Sequence, residues 1–295
     1  MKITRIAIIF VFICSVTSSS HGVVIAGVNG LTNTNAPADD PGFNYIGVFQ
    51  NDRSSVYLGG SWFLTANHNG APSAVTMGGS TYSYMASSWK QLTNSTGGID
   101  LALFRITSAP VGGVSIGSVT PSLNNPVVMI GNGRDRTSDL IKWNSSWQVV
   151  TQGSYTYSGY TYDGTYPYDT SLRWGSNTIS GVASTNLGTG QMDFIITDFD
   201  NITGEGQGAP GDSGGGIFTK TGSGWELAGI MLYAHPPYVG QPASTAVFGN
   251  STYAADVSSY RDQINQMIPE PSTGVLLVGI SIVFGVIKRL RYMYQ

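Results

Sequence analysis

From Asn44 onward, apolar residues come in short runs cut by Gly, Asn and Ser. The runs are Tyr45-Ile46-Gly47-Val48-Phe49, Val56-Tyr57-Leu58, Trp62-Phe63-Leu64-Thr65 and Leu101-Ala102-Leu103-Phe104-Arg105-Ile106. Runs of this length, rich in β-branched and aromatic residues, predict strands. A turn-rich stretch from Ala109 to Pro126 follows, and Val127 to Ile130 opens a second group of strands. Further strands are predicted at Trp147 to Thr151, Met192 to Thr197, Gly216 to Thr219 and Trp225 to Leu232. Helical spacing appears only near the end, where Val257, Tyr260, Ile264 and Met267 recur at three- and four-residue intervals.

Between Gly153 and Tyr168 the tyrosines pair at two-residue spacing: Tyr155 with Tyr157, Tyr160 with Tyr162, Tyr166 with Tyr168. Strand alternation places each pair on one face. Two uses fit, a recognition rim or an edge hairpin whose rings cover the core.

Composition agrees with an all-β body. The chain has 295 residues, 41% hydrophobic and 11% charged, with 39 Gly and 13 Pro. That is too apolar for disorder and too glycine-punctuated for a helix bundle. Net charge is −3, and five of the 14 basic residues (Lys2, Arg5, Lys288, Arg289, Arg291) sit in the end segments. The body is therefore acidic, which excludes a nucleic-acid partner.

Both ends read as addresses. Met1-Lys2-Ile3-Thr4-Arg5, an apolar run from Ile6 to Ile13 and small residues to Ser20 have the three-part layout of a secretory signal over 1–20. Cys14, the one cysteine, lies in that run, so the exported chain holds together by core burial without disulfides. At the other end, Pro269-Glu270-Pro271-Ser272 precedes an apolar stretch from Val275 to Ile287 and the basic Lys288-Arg289-Leu290-Arg291. The basic cluster would stay cytoplasmic. The layout over 269–295 resembles the PEP-CTERM sorting signal of bacterial envelopes. That resemblance implies a signal peptidase and a membrane sorting enzyme as partners, a transient membrane anchor, and a final place at the cell surface or outside it. A plain stop-transfer anchor is the alternative.

The strongest chemical signal is Gly211-Asp212-Ser213-Gly214-Gly215-Gly216. A nucleophilic serine on a tight turn needs neighbours without side chains, so that backbone N–H groups converge on an oxyanion and substrate approaches closely. Upstream, Trp62 to Asn67 ends in His68 at a loop, the best base among three histidines, since His21 lies at the signal junction and His235 precedes Pro236-Pro237. Between them Asp100 opens the apolar Leu101-Ala102-Leu103, where a partly buried carboxylate could orient an imidazole.

These motifs resemble those of the chymotrypsin-like (trypsin-fold) serine peptidases, in that family's order of His, Asp and Ser. Thr65-Ala66-Asn67-His68 is similar to its Thr-Ala-Ala-His, Asp100-Leu101-Ala102-Leu103 to its Asp-Leu/Ile-Ala-Leu, and Gly211-Asp212-Ser213-Gly214-Gly215 matches in full. The resemblance spans roughly Val24 to Met267 and implies two six-stranded antiparallel barrels, 21–115 carrying His68 and Asp100 and 116–268 carrying Ser213. It implies His68 as general base, Asp100 as orienting acid, Ser213 as nucleophile and the N–H groups of Gly211 and Ser213 as oxyanion hole. No metal or cofactor is expected, and the implied product is a monomeric endopeptidase acting on polypeptides. Activity would fall at low pH, where the base is protonated.

The departures from the family are informative. Leu232 stands where the family carries a serine that hydrogen-bonds the catalytic aspartate. Leu232, Tyr233 and Ala234 would wall the specificity pocket, with Gln207 at its base; the absence of a carboxylate there excludes a Lys/Arg preference, and Ala234 in place of glycine favours small or medium neutral side chains. In the family the aspartate at the position of Asp212 often pairs with a freed amino terminus, and Val24-Ile25-Ala26-Gly27 faintly resembles the family's Ile-Val-Gly-Gly start; without such an amine Asp212 needs another donor. Asp198, Asp200 and Glu205 cluster without the spacing of a Ca²⁺ loop, so solvation accounts for them. Two rival readings are a catalytically weak or inactive binding or adhesion module on this fold, using the cleft or the tyrosine-rich loops, and a matrix component anchored by its tail.

Overall fold

The computed structural model describes residues 22–27, 33–50, 52–163, 171–188 and 190–268. The proposed signal and sorting segments, His21, Tyr166 and Tyr168 lie outside them. Among the described residues no helix is long and apolar enough to cross a membrane.

Two antiparallel seven-stranded sheets carry the fold. The first runs Ser80–Ser83, Ala74–Met77, Ile46–Phe49, Arg53–Gly59, Trp62–Thr65, Gly97–Arg105, Lys90–Asn94 in spatial order. The second runs Arg173–Thr178, Pro126–Gly131, Gly216–Thr221, Gly224–His235, Ser251–Asp256, Gln191–Asp198, Gly181–Asn186. A three-stranded sheet (Ile141–Trp143, Tyr157–Thr161, Thr245–Val247) and a two-stranded one (Val24–Ile25 with Gly206–Gln207) complete it. The all-β expectation holds, but two six-stranded barrels do not describe the pairing. Each main sheet has seven strands in open order, and the ends of the first are linked by the bridge Tyr84–Ile106, with Met85 N–H donating to Arg105 O at 2.8 Å and Thr107 N–H to Ser83 O at 2.9 Å. The extra strands come from short polar hairpins such as Ser80–Ser83 and Lys90–Asn94, mostly solvent-facing and without an apolar run to announce them.

Alternation distributes the strand Gly97–Arg105 over two cores. Ile99, Leu101 and Leu103 join Leu64 and Trp62 in a cluster that also takes Phe218, Ile230 and Leu232 from the second sheet. Phe104 faces the other way, stacked on Phe63 at 5.2 Å beside Tyr57 and Val75. Asp100 shares the parity of Phe104, so the site's acid stands on the face opposite the shared core. The segment between the sheets is tied to both, Val114 N–H donating to Tyr57 O at 3.0 Å and Gly117 N–H to Leu227 O at 2.9 Å.

Two sequence expectations need revision. The strand expected over Trp147 to Thr151 shrinks to one antiparallel bridge, Val149 with Trp143, behind a tight turn in which the Asn144 side chain accepts from the N–H groups of Ser146 and Gln148 at 2.9 and 3.0 Å with Trp147 at φ +60°. The terminal helix is divided: a 3-10 turn over Val257–Tyr260, whose Ser258 N–H is capped by Asp256, then an α-helix over Arg261–Met267. Of the paired tyrosines, Tyr160 and Tyr162 are buried and pack with the core, while Tyr155 is exposed. The covering role is met by Tyr160 and Tyr162 and not by Tyr155.

Candidate active site

The three motifs converge at the junction of the main sheets. The strand Trp62–Thr65 ends in a 3-10 turn, Asn67–Asn69, that presents His68. Trp89 Nε1 donates to Asn67 Oδ1 at 3.3 Å, which anchors the turn from the adjacent hairpin. His68 Nδ1 lies 2.7 Å from Asp100 Oδ2, and the His68 backbone N–H donates to Asp100 Oδ1 at 2.8 Å. The imidazole is 40% exposed and the carboxylate 1% exposed. A buried acid thus grips one ring nitrogen while the rest of the ring is part-exposed to solvent.

Ser213 sits on the loop entering the strand Gly216–Thr221. Its neighbours Gly211 and Gly214 have φ of +99° and +89°, and the space beside them is closed. A Cβ on Gly211 would lie 2.7 Å from Asp52 O, and one on Gly214 would collide with Ser54 O and Thr65 Oγ1. The glycines therefore let the serine loop press against the first sheet. There Asn69 Nδ2 and Ser54 N–H donate to the Ser213 carbonyl at 2.8 and 3.2 Å. Asn69 and Ser54, both buried, join the two motifs and were not singled out from sequence; their signal was adjacency to His68 and to the strand paired with Trp62–Thr65.

Among the described residues the N–H groups of Gly211 and Ser213 donate to no protein acceptor, whereas those of Asp212, Gly214 and Gly215 are all used. Ser213 Oγ donates to Leu232 O at 3.3 Å rather than to His68. Tyr233 Oη donates to Asp100 Oδ2 at 3.3 Å.

Asp212 points away from the cleft. Its carboxylate accepts from Gly133 N–H at 2.7 Å, Ala209 N–H at 2.8 Å and Val23 N–H at 3.1 Å. Complete burial pushes its pKa up to about 7, against the pull of those three donors. The partner is Val23, one residue before the start suggested by the sequence; Val24 is instead paired with Gln207 in the two-stranded sheet.

A pocket of about 180 Å³ opens beside Ser213. Leu232, Tyr233 and Ala234 line it, as the sequence suggests, with Gly208, Met231 and Thr252 added. Gln207 is not among the lining residues: it is buried in its short strand, with Nε2 donating to Gly208 O at 3.0 Å. Thr252 stands directly across the strand pair from Ala234 and accepts from Gly208 N–H at 2.9 Å. Among the described residues no group of His, Cys, Asp and Glu could hold a metal ion.

No family model and no curated protein matches the chain. Solved structures resemble it loosely. The inactive form of Rv3671c from M. tuberculosis H37Rv aligns over 79% of this chain and 96% of its own at 10% identity, with a TM-score of 0.47. Neuropsin, a serine protease expressed in the limbic system of mouse brain, aligns over 78% and 96% at 15% identity, also at 0.47.

Proposed function

We propose that the chain is an exported serine endopeptidase. The observation that carries this reading is the 2.7 Å contact between His68 Nδ1 and the buried Asp100, on a turn tied through Asn69 to a serine loop in which the N–H groups of Gly211 and Ser213 have no acceptor among the described residues. In the proposed reaction Ser213 Oγ leaves Leu232 O and attacks a peptide carbonyl as its proton passes to His68 Nε2. The oxyanion forms between the N–H groups of Gly211 and Ser213. His68 then gives the proton to the leaving amine, and water releases the acyl group by the same route. Asp100 holds the Nδ1–H tautomer and faces the imidazolium charge.

The pocket supports a neutral side chain of small or medium size on the acyl side of the cut bond. Of its lining residues only Asp212 is ionisable, and that carboxylate is taken up by the N–H groups of Val23, Gly133 and Ala209; Thr252 and Ala234, cross-strand neighbours, both line it. The ends support export and surface sorting as proposed from 1–20 and 269–295.

One observation favours the rival, a binding module: the serine's bond to Leu232 O leaves the nucleophile disengaged from its base. Catalytic hydrogen bonds are often loose without substrate. The deciding experiment is labelling of the full-length chain with a fluorophosphonate probe, beside Ser213→Ala and His68→Ala. Labelling lost in both variants supports the peptidase; no labelling, also after trimming to begin at Val23, supports the binding module.

A further inference from the structure

In the chain's resemblance to the serine peptidases, position 232 should supply a hydroxyl to the catalytic acid, and it holds leucine. Leu232 is 4% exposed, packed in the shared core, and offers the site only its carbonyl. Asp100, 1% exposed, still needs donors for a charge carried away from water. One oxygen takes the His68 backbone N–H and the other takes Nδ1–H. A third donor reaches Oδ2 from the next residue along, the phenol of Tyr233 at 3.3 Å.

The strand explains how. Between Met231 and Tyr233 the register of Gly224–His235 against Ser251–Asp256 shifts, and such irregularities re-aim side chains. The Tyr233 ring lies 6.4 Å from the His68 ring and meets Phe194 edge-on at 6.4 Å, so its hydroxyl is held at the acid by packing.

We propose that Tyr233 is a positioning residue that supplies Asp100 with the hydroxyl donor missing at Leu232. This rests on the peptidase reading above. The phenol stabilises the ionised carboxylate and fixes its plane, and through it the imidazole; the same ring lines the substrate pocket. Recognition and acid support therefore share one side chain.

The test is Tyr233→Phe in the full-length chain, which keeps the ring and removes the donor. Two readouts are taken: the pH dependence of fluorophosphonate labelling, and the titration of the His68 imidazole by NMR, which needs no activity. Labelling is expected to slow about ten-fold. The acid limb and the imidazole titration should both move to higher pH, because a carboxylate that has lost a donor attracts the imidazolium proton more strongly. The fold should be kept, with melting somewhat lowered because a buried carboxylate has lost one of its donors. If the unsubstituted chain labels and neither readout moves in the variant, the proposal is overturned and the peptidase reading stands. If the unsubstituted chain never labels, the peptidase reading fails and the positioning role falls with it, even where the titration moves and shows the hydrogen bond to be real.

Discussion

Val23 donates its backbone N–H to both carboxylate oxygens of Asp212, at 3.3 and 3.1 Å, across 189 residues of sequence. Val23 is itself strained, a β-branched residue at φ +31°. Cleavage before it would free that torsion and turn a neutral amide into an ammonium beside a buried acid.

A stability profile follows from this pair. With only amides as donors, folded Asp212 keeps its proton up to about pH 7, whereas the ordinary carboxylate value is 3.8. The folded state binds more protons between those values, so stability falls as pH rises from about 4 to about 7. The full-length chain should lose melting temperature over this range relative to Asp212→Asn. A chain beginning at Val23 should not, since the ammonium holds the carboxylate ionised. Parallel profiles for the full-length chain and Asp212→Asn would refute this account.

Thr252 lines the pocket beside Ser213 and is the cross-strand neighbour of Ala234, so on the proposed reading it bounds the substrate side chain. Thr252→Gly removes a branched side chain facing Ala234. It should raise kcat/KM for a large aromatic side chain relative to alanine by about ten-fold or more. Peptide libraries varied at the residue before the cut bond would measure it, and an unchanged ratio would show that Thr252 does not bound the site. Stability should drop by about 1 kcal/mol, because Gly208 N–H loses its acceptor.

Gly214 should tolerate no side chain. In Gly214→Ala the new methyl would occupy the space of Ser54 O and Thr65 Oγ1, at a φ of +89°. A loss of about 3 kcal/mol or more is expected by denaturant titration, together with loss of labelling. A variant with near-normal stability would mean that the serine loop can lift off the first sheet.

Asn69 links the turn that carries His68 to the loop that carries Ser213. Its Nδ2 reaches both Thr65 Oγ1 at 3.1 Å and Ser213 O at 2.8 Å, in a buried setting. Asn69→Ala should cost about 1–3 kcal/mol, and slow labelling of Ser213 while His68 and Asp100 remain in contact. Unaltered labelling would remove Asn69 from the site's support.

Much of this was legible in the sequence because local patterns dictated it. Ser213 announces itself through glycines that the closed space around Gly211 and Gly214 requires, and Asp100 as a lone carboxylate within the apolar run of the strand Gly97–Arg105. What stayed hidden depends on tertiary register. Thr252 is 39 residues from Ser213 and meets the pocket only through strand pairing with Ala234, and Tyr233 finds Asp100 only because the strand slips beside it. The turn at Trp147 was hidden for a different reason: a single side chain, Asn144, folds the chain back so that Val149 bridges Trp143 and little of the expected strand is left. The short polar edge strands carried no apolar signature at all.

The carbonyl of Ser213 is held by Ser54 and Asn69, which belong to the other sheet. The second half of the chain, folded by itself, would therefore present a serine whose peptide plane is free to turn. On the proposed peptidase reading, competence would arise only when the halves dock, so assembly of the two sheets would also guard against a half-made nucleophile.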